Sequence, residues 1–215
     1  DMPGDFTPIA QVGSTPMVLV VNPSKVAATS HKELAALVRS KPHALNYGSS
    51  GSGTILHLAV ELYLDAAGLK TRHIPYKGVG PMVSDLLGGQ VDFAAAALPR
   101  LQGHIASGKL RPIGVFPPQR TPAAPDIPTF AEQGLTNFEV EAWFAVIGPK
   151  GMSPAVVKKV HDAVVAAFND PAVKEAMAKQ GNTVRITTTE QAQAAFRSEL
   201  AKYAALVKKV GLEPQ

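Results

Sequence analysis

Apolar and polar positions follow two periods along this chain. Short continuous apolar runs, such as Met17–Val21 and Val91–Ala97, predict buried β-strands. Segments with helix start signals lie between such runs. Ser30 and Glu33, for example, have the spacing of a capping box and predict a helix that continues to about Arg39. Because strands and helices alternate, we predict an α/β protein with mainly parallel sheets.

The same two patterns extend over the rest of the chain. The further predicted strands are 44–47, 72–75, 110–116 and 138–147. The further predicted helices are 81–87, 98–106 and 191–210, the last opened by a capping box at Thr187 and Glu190. Ser153-Pro154 and Asp170-Pro171 each predict the start of another helix, because proline is favoured at the first helical position.

The order of these elements predicts two lobes. Residues 22–142 form a self-contained series of strands and helices, which we assign to a central lobe. Residues 1–21 and 143–215 are assigned to the other lobe, so the chain would cross between lobes near Val21 and near Trp143. Two crossings make a hinge, and a cleft between two lobes is a natural ligand site.

A loop of glycine, serine and threonine connects a predicted strand to a predicted helix that begins at Ile55. The N–H groups of the first helical turn have no intrahelical partner, and the helix dipole is positive at this end. The arrangement therefore suits an oxyanion such as a carboxylate or a phosphate, although a flexible connection would explain the same composition. The candidate ligand-binding residues are Ser49, Ser50, Gly51, Ser52, Gly53 and Thr54.

His57 lies in the first turn of that helix and is a further candidate for orienting a ligand or the loop. With Glu61 and Asp65 it forms a stripe of polar residues spaced four apart on one helix face. All three are potential metal ligands, but ion pairing on a polar helix face explains the stripe better. We therefore predict no metal site and no cofactor.

Composition narrows the classes of function. The 215 residues include no cysteine, which excludes disulfides, thiolate metal ligands and thiol nucleophiles. The net charge of +4 is mildly basic, but no run of Lys and Arg is interleaved with aromatic residues, so we expect no nucleic-acid partner. Because no apolar run is long enough for a bilayer span, we expect no membrane insertion. The Gly/Ser loop is neither a Walker A motif nor a nucleophile elbow, since the required lysine and second glycine are absent.

Several stretches in a fixed order resemble the Bug, or TctC-like, family of extracytoplasmic solute-binding proteins, which serve tripartite tricarboxylate transporters. No single stretch is decisive, but together their order and spacing are specific, and they run through almost the whole chain. The stretches are 5–10 (DFTPIA), 45–54 (LNYGSSGSGT) followed by His57 and Glu61, 73–78 (HIPYKG), 85–92 (DLLGGQVD), 108–111 (GKLR) and 125–129 (PDIPT).

The resemblance implies a two-lobed periplasmic-binding-protein architecture of the Venus-flytrap type and a periplasmic location. It implies a protein that captures a small carboxylate, such as a dicarboxylate or an aromatic acid, performs no chemistry and delivers the ligand to membrane transporter subunits. We expect a monomer. In this family two loops from opposite lobes hold the carboxylate through amides and hydroxyls, and the Gly/Ser loop here resembles one of them.

The chain departs from the family pattern in two ways. The family carries a substantial N-terminal portion ahead of the stretch at 5–10, so we expect the first lobe to be incomplete here. Many members also have an aspartate before a Leu-Pro pair, where this chain has Ala96. An aspartate would suit a ligand ammonium group, so Ala96 favours a plain carboxylic acid and joins the candidate ligand-binding positions.

Two other classes of function remain open at the level of sequence. A hydrolase or transferase could use the same loop as an oxyanion or phosphate hole, although no motif places a base beside a nucleophile. A sensory or scaffolding domain could use the same fold without a transporter.

Overall fold

The computed structural model describes residues 2–41, 43–136 and 140–211. In chain order its elements are α1 (Met2–Asp5), β1 (Phe6–Thr15), β2 (Met17–Val21), α2 (His31–Ser40), β3 (Asn46–Ser49), α3 (Ile55–Ala67), β4 (Arg72–Pro75), α4 (Val79–Gly88), β5 (Phe93–Ala97), α5 (Leu98–Ala106), β6 (Arg111–Val115), β7 (Ala142–Pro149), α6 (Pro154–Asn169), α7 (Pro171–Lys179), β8 (Thr183–Val184) and α8 (Thr189–Val210). Within the described ranges, no helix has both the length and the apolar character that a bilayer crossing requires.

The chain divides into two compact units. The smaller unit contains residues 2–15 and 142–208, and the larger one contains the other described residues, 16–41, 43–136, 140–141 and 209–211. In the smaller unit, β1 is the central strand of an antiparallel sheet and pairs with β7 and β8. Its helices α6 and α7 contain no buried residue, and Phe6 and Phe144 are about two-fifths exposed. The packed core therefore lies mostly in the larger unit.

The larger unit is built on a five-stranded sheet with the order β4-β3-β5-β2-β6. Strand β3 pairs in parallel with both β4 and β5, whereas β2 pairs antiparallel with both β5 and β6. The α/β class is as predicted, but the prediction of mainly parallel sheets is wrong. Alternating strands and helices correctly indicate parallel neighbours for β3, β4 and β5, but they carry no information about where β2 inserts.

The predicted domain boundaries place β2 in the wrong lobe. Residues 17–21 were assigned to the lobe that contains the chain ends, but all five are fully buried between β5 and β6 in the larger unit. The unit boundary falls at Pro16 instead of at Asn22, and at Ala142 on the return. Proline at residue 16 cannot donate a ladder hydrogen bond, so it separates β1 from β2 although both are extended.

Most element predictions agree with the structure within two residues. Ser30, Ser153 and Asp170 are side-chain N-caps as predicted. The capping box of α8 is shifted by one residue from the predicted pair, because Thr188 and Gln191 exchange the two hydrogen bonds. The hydroxyl of Thr187 instead accepts from the N–H of Gln11 in β1. The strand predicted from residue 138 begins at Ala142, and its first two positions lie outside the described residues.

The carboxyl ends of the three parallel strands meet at one edge of the larger sheet, here called the carboxyl edge. They are Ser49 of β3, Pro75 of β4 and Ala97 of β5. Helices α3, α4 and α5 begin within six residues of these strand ends, so all three start at this edge. In α/β sheets, ligands bind outside the carboxyl ends of parallel strands. The carboxyl edge is therefore the first place to search for a site.

Asn22 anchors the opposite end of this layer. Its side-chain N–H₂ group donates to the carbonyl oxygens of Leu86 and Leu87 at 2.8 and 3.2 Å, and its side-chain oxygen accepts from the N–H of Ser24 at 2.9 Å. Because Asn22 is buried, these partners satisfy polar groups that water does not reach.

Asn22→Ala should lower the free energy of unfolding by about 1–3 kcal/mol, because it removes the side-chain donor of the Leu87 carbonyl and leaves the Leu86 carbonyl with only the N–H of Gly89. Urea unfolding followed by circular dichroism measures the change. Asn182→Ala is the control, since Asn182 is partly exposed and its nearest side-chain oxygen partner, on Gln180, lies at 3.3 Å. An equal loss in both variants would contradict the assignment.

Candidate ligand-binding site

The Gly/Ser loop (residues 48–54) leaves the end of β3 and turns directly into α3. Two of its glycines have backbone angles that other residues rarely adopt, with φ of 138° at Gly51 and 74° at Gly53. The loop is therefore a defined turn whose shape depends on glycine. Its carbonyls at Ser49 and Ser50 accept from the N–H groups of Tyr76 and Gly78, at 3.0 and 3.1 Å, in the loop between β4 and α4.

Some polar groups of the loop have hydrogen-bond partners inside the protein. Ser49 is fully buried, and its Oγ lies 2.7 Å from His73 Nε2 and accepts from the N–H of Gly51 at 3.2 Å. The Thr54 hydroxyl donates to the Gly51 carbonyl at 2.8 Å and accepts from the N–H of His57. Gly53 donates its N–H to His57 Nδ1 at 3.0 Å. These groups shape the loop, and direct ligand contact by them stays a prediction.

A second set of loop donors has no such partner. Among the described residues, the structure records no hydrogen bond from the N–H groups of Ser50, Ser52, Ile55 and Leu56, nor from the hydroxyl of Ser52. Ile55 and Leu56 are the first two residues of α3, where N–H groups have no intrahelical acceptor. These donors are available to an external acceptor.

The neighbouring helix starts add to the same electrostatic environment. The N-cap residues of α4 and α5, Gly78 and Ala97, make no side-chain cap hydrogen bond. None of α3, α4 and α5 has an acidic residue in its first turn. Lys77, which precedes the N-cap Gly78 of α4, is exposed. Three positive helix ends with no compensating carboxylate in their first turns favour an anion at the carboxyl edge.

Ala96 lies near this edge but within the core. It is fully buried in β5 and stands opposite Val18 of β2. The close packing of β5 between β3 and β2 explains a small residue here, and a role of Ala96 in ligand binding stays a prediction.

Two stacked histidines lie directly beneath the loop. The ring centroids of His57 and His73 are 3.8 Å apart with an angle of 9° between the planes, and the Tyr47 ring stacks on His73 at 4.9 Å. The Tyr47 hydroxyl donates to Glu61 Oε1, which also lies 3.8 Å from His57 Nε2. The predicted stripe on α3 is thus divided: His57 is buried and lies beside the half-buried Glu61, whereas Asp65 makes the ion pair expected of a polar helix face, with Lys209.

This environment keeps both histidines neutral at pH 7. Burial lowers the pKa of His57, and burial with a smaller contribution from His57 lowers the pKa of His73 to about 4. Burial raises the pKa of Glu61, an effect that the hydrogen bond from Tyr47 opposes and the charge of Asp65 reinforces.

The cluster does not have the properties of a catalytic or metal centre. Ser49 and His73 have the contact of a nucleophile and its base, but Ser49 is fully buried, and a histidine with a pKa of about 4 is a weak base. In the described part of the chain, no group of three or more potential ligand side chains is placed to hold a metal ion.

Sequence reasoning missed His73 and Tyr47 as parts of this region. The stretches at 45–54 and 73–78 contain both, but nothing in the linear sequence shows that the strands carrying them are neighbours. The pairing of β3 with β4 brings them together.

Comparisons with known proteins agree on one family. The family model described as "TctC: Tripartite tricarboxylate transporter family receptor" matches residues 2–212. Protein BugT of Bordetella pertussis is 36% identical over 207 residues, which cover 96% of this chain and 63% of BugT. The chain therefore spans less than two-thirds of the length of this relative.

Solved structures show the same fold. Rpa4515 of R. palustris with adipate aligns with a TM-score of 0.88 and 29% identity, covering 100% of this chain and 72% of that one. MatC (Rpa3494) of Rhodopseudomonas palustris with bound malate aligns with a TM-score of 0.83 and 25% identity, covering 95% of this chain and 70% of that one. These alignments confirm the predicted periplasmic-binding-protein class of fold.

Thr54→Val should lower the free energy of unfolding by about 1 kcal/mol, because valine can neither cap α3 nor bind the Gly51 carbonyl. Thr54→Ser keeps the hydroxyl and should stay near the wild type. Urea unfolding of the two variants measures the difference. Equal stability of the valine and serine variants would show that the cap contributes nothing.

Acidification should destabilise the protein through His57, which is buried, and His73, which is half-buried. Because folding lowers both pKa values, the unfolded chain binds protons below pH 6.5 that the folded protein does not, and the free energy of unfolding falls as pH falls. For His73 this range extends down to about pH 4. The raised pKa of Glu61 acts in the opposite direction, since the folded state takes up that proton first.

Urea unfolding at a series of pH values measures this slope. His73→Asn should flatten it. His43→Asn should not, because His43 is exposed and asparagine tolerates its positive φ of 63°. Identical slopes in the two variants would contradict the assignment.

Proposed function

Because the chain belongs to the TctC family of tripartite tricarboxylate transporter receptors, we propose that it binds a small carboxylate at the carboxyl edge of β4, β3 and β5. The family resemblance inferred from the sequence is thereby confirmed, and it is a family of receptors, not of enzymes. The whole receptor's ligand, location and partners belong to the proposal, since the chain spans 63% of BugT.

The observation that carries the proposal is the set of free N–H donors at the start of α3. The N–H groups of Ser50, Ser52, Ile55 and Leu56 have no recorded acceptor in the described chain, and the dipole of α3 is positive at the same point. A carboxylate oxygen is the complementary acceptor, because hydrogen bonds from N–H groups to an ionised acceptor are stronger than those to a neutral one.

The chemistry of these donors also favours release. Amides and hydroxyls bind a carboxylate without forming an ion pair, so the affinity does not depend on burying a charged side chain. That suits a protein which must pass its ligand to a transporter. We propose a periplasmic monomer that delivers the acid to membrane subunits of a tripartite transporter.

The ligand class is supported by the related structures. Rpa4515 was solved with adipate and MatC with malate, both dicarboxylates. A dicarboxylate is therefore the first ligand to test here, and a plain monocarboxylic or aromatic acid is the second.

The free N–H group of Ile55 can be removed without changing the backbone. Proline is favoured at the first helical position, and Thr54 before it already has the extended conformation that proline requires, with φ −69° and ψ 160°. Ile55→Pro should weaken binding of adipate or malate by about 10- to 100-fold relative to Ile55→Ala, the cost of one hydrogen bond to a charged group.

Isothermal titration calorimetry measures both affinities. Ile55→Ala is the matched control, because it truncates the same side chain but keeps the N–H group. Equal affinities would exclude this donor, and folded wild-type protein that binds no acid of a broad panel would contradict the proposed function.

A further inference from the structure

One polar group of the Gly/Ser loop depends on a buried side chain from the next element. The N–H of Gly53 donates to Nδ1 of His57 at 3.0 Å, and His57 is only 1% exposed. Gly53 stands between Ser52 and the helix start at Ile55, two positions that have free N–H groups. A change in the contact between Gly53 and His57 therefore moves the donors proposed to hold the ligand.

The hydrogen bond determines which protonation state of His57 is compatible with this loop. Nδ1 can accept an N–H only if it carries no proton, so the ring is the neutral form with its proton on Nε2. On a second protonation Nδ1 becomes a donor, and two donors then face each other. The Gly53 N–H must move away, because no hydrogen bond remains.

Within the described residues, the aromatic and titratable groups that contact the His57 ring come from β3, β4 and α3. His73 of β4 stacks on its ring and Tyr47 of β3 lies 6.1 Å away, while Glu61 lies one turn further along α3. Glu61 accepts from Tyr47 and is 3.8 Å from Nε2 of His57, on the side of the ring that does not face the loop. Its charge would attract a protonated His57 but cannot replace the lost acceptor for Gly53. The parallel stacking of the two histidine rings does not point their nitrogen atoms at a common metal position.

We propose that His57 is a positioning residue, which in its neutral form holds Gly53 and thereby aims the N–H groups of Ser52 and Ile55 at the ligand, and that protonation of His57 releases the loop. This inference rests on the proposed function for its effect on affinity. Its effect on the loop does not depend on any ligand. The lowered pKa of His57 keeps the holding state populated at neutral pH.

Two substitutions distinguish the role of the hydrogen-bond acceptor for Gly53 from the role of protonation at residue 57. In His57→Asn the side-chain oxygen lies near the position of Nδ1, so it keeps an acceptor for Gly53 that does not titrate. In His57→Leu the buried apolar volume is largely kept and the acceptor is lost. A purely structural role for the ring would make these two variants behave alike.

The first experiment needs no ligand. In ¹H–¹⁵N NMR spectra of the full chain, the Gly53 amide signal of the wild type should shift with pH at the same midpoint as the ring nitrogens of His57. Its protection factor, which is the exchange rate of an unprotected amide at the same pH divided by the observed rate, should be at least tenfold lower below that midpoint. In His57→Asn the Gly53 signal should not follow this titration, and in His57→Leu the protection factor should be low at every pH. A Gly53 signal indifferent to both variants and to the His57 titration would overturn the inference.

The second experiment measures affinity for malate and adipate at pH 7.5 and at a pH below the measured His57 midpoint. Both acids change their own protonation in this pH range, which weakens binding to every variant equally. The fold-loss of affinity on acidification in the wild type is therefore divided by the fold-loss in His57→Asn, so that the effect of ligand protonation cancels. The ratio should be at least ten. His43→Asn changes a histidine at an exposed position outside the Gly/Ser loop and should behave as the wild type.

The two kinds of failure are distinguishable. If neither acid binds any variant while Gly53 follows His57, the proposed ligand is wrong and the positioning role stands. If the acids bind but the ratio stays near one, His57 does not control the site.

Discussion

The region at the carboxyl edge depends on one constraint: each inward-facing polar group of a tight glycine-rich turn needs an acceptor or donor inside the protein. Ser49 hydrogen-bonds with His73, Gly53 donates to His57, and Thr54 caps the helix that follows. An unpaired buried polar group would cost about 1–3 kcal/mol, so these contacts define one loop shape. Because the inward groups are satisfied, the remaining N–H groups can stay free for a partner from outside.

The backbone charges of the same region would favour an anion. Three helices start at the carboxyl edge, and none has an acidic residue in its first turn. The partial positive charges of the helix ends are thus not neutralised by the chain at these positions. The cluster of Tyr47, His57, His73 and Glu61 beneath the loop supplies rigidity instead of charge, since burial keeps its histidines neutral. A receptor that binds by dipoles and amides avoids the desolvation cost of a buried cation.

Local signals in the sequence identified much of the fold. The buried strand Met17–Val21, the helix of residues 98–106 and the caps at Ser30 and Ser153 are where the patterns placed them, because each depends on neighbours within a few residues. The strand-loop-helix unit around residues 48–54 was found for the same reason. The antiparallel insertion of β2 was missed. Its partner β5 lies more than 70 residues further along the chain, and pairing over that distance produces no pattern in the local sequence.

The sequence by itself determined that a glycine-rich turn opens a helix with free N–H groups, and to which family the chain belongs, because both are properties of residues close together or in fixed order. Only the tertiary structure decided which donors of that turn remain free. Ser49, Gly53 and Thr54 have the same polar groups as their neighbours, but the pairing of β3 with β4 places His73 beside the loop, and the first turn of α3 returns His57 beneath it. Long-range pairing thus divides chemically similar groups into those that build the loop and those that can face a ligand.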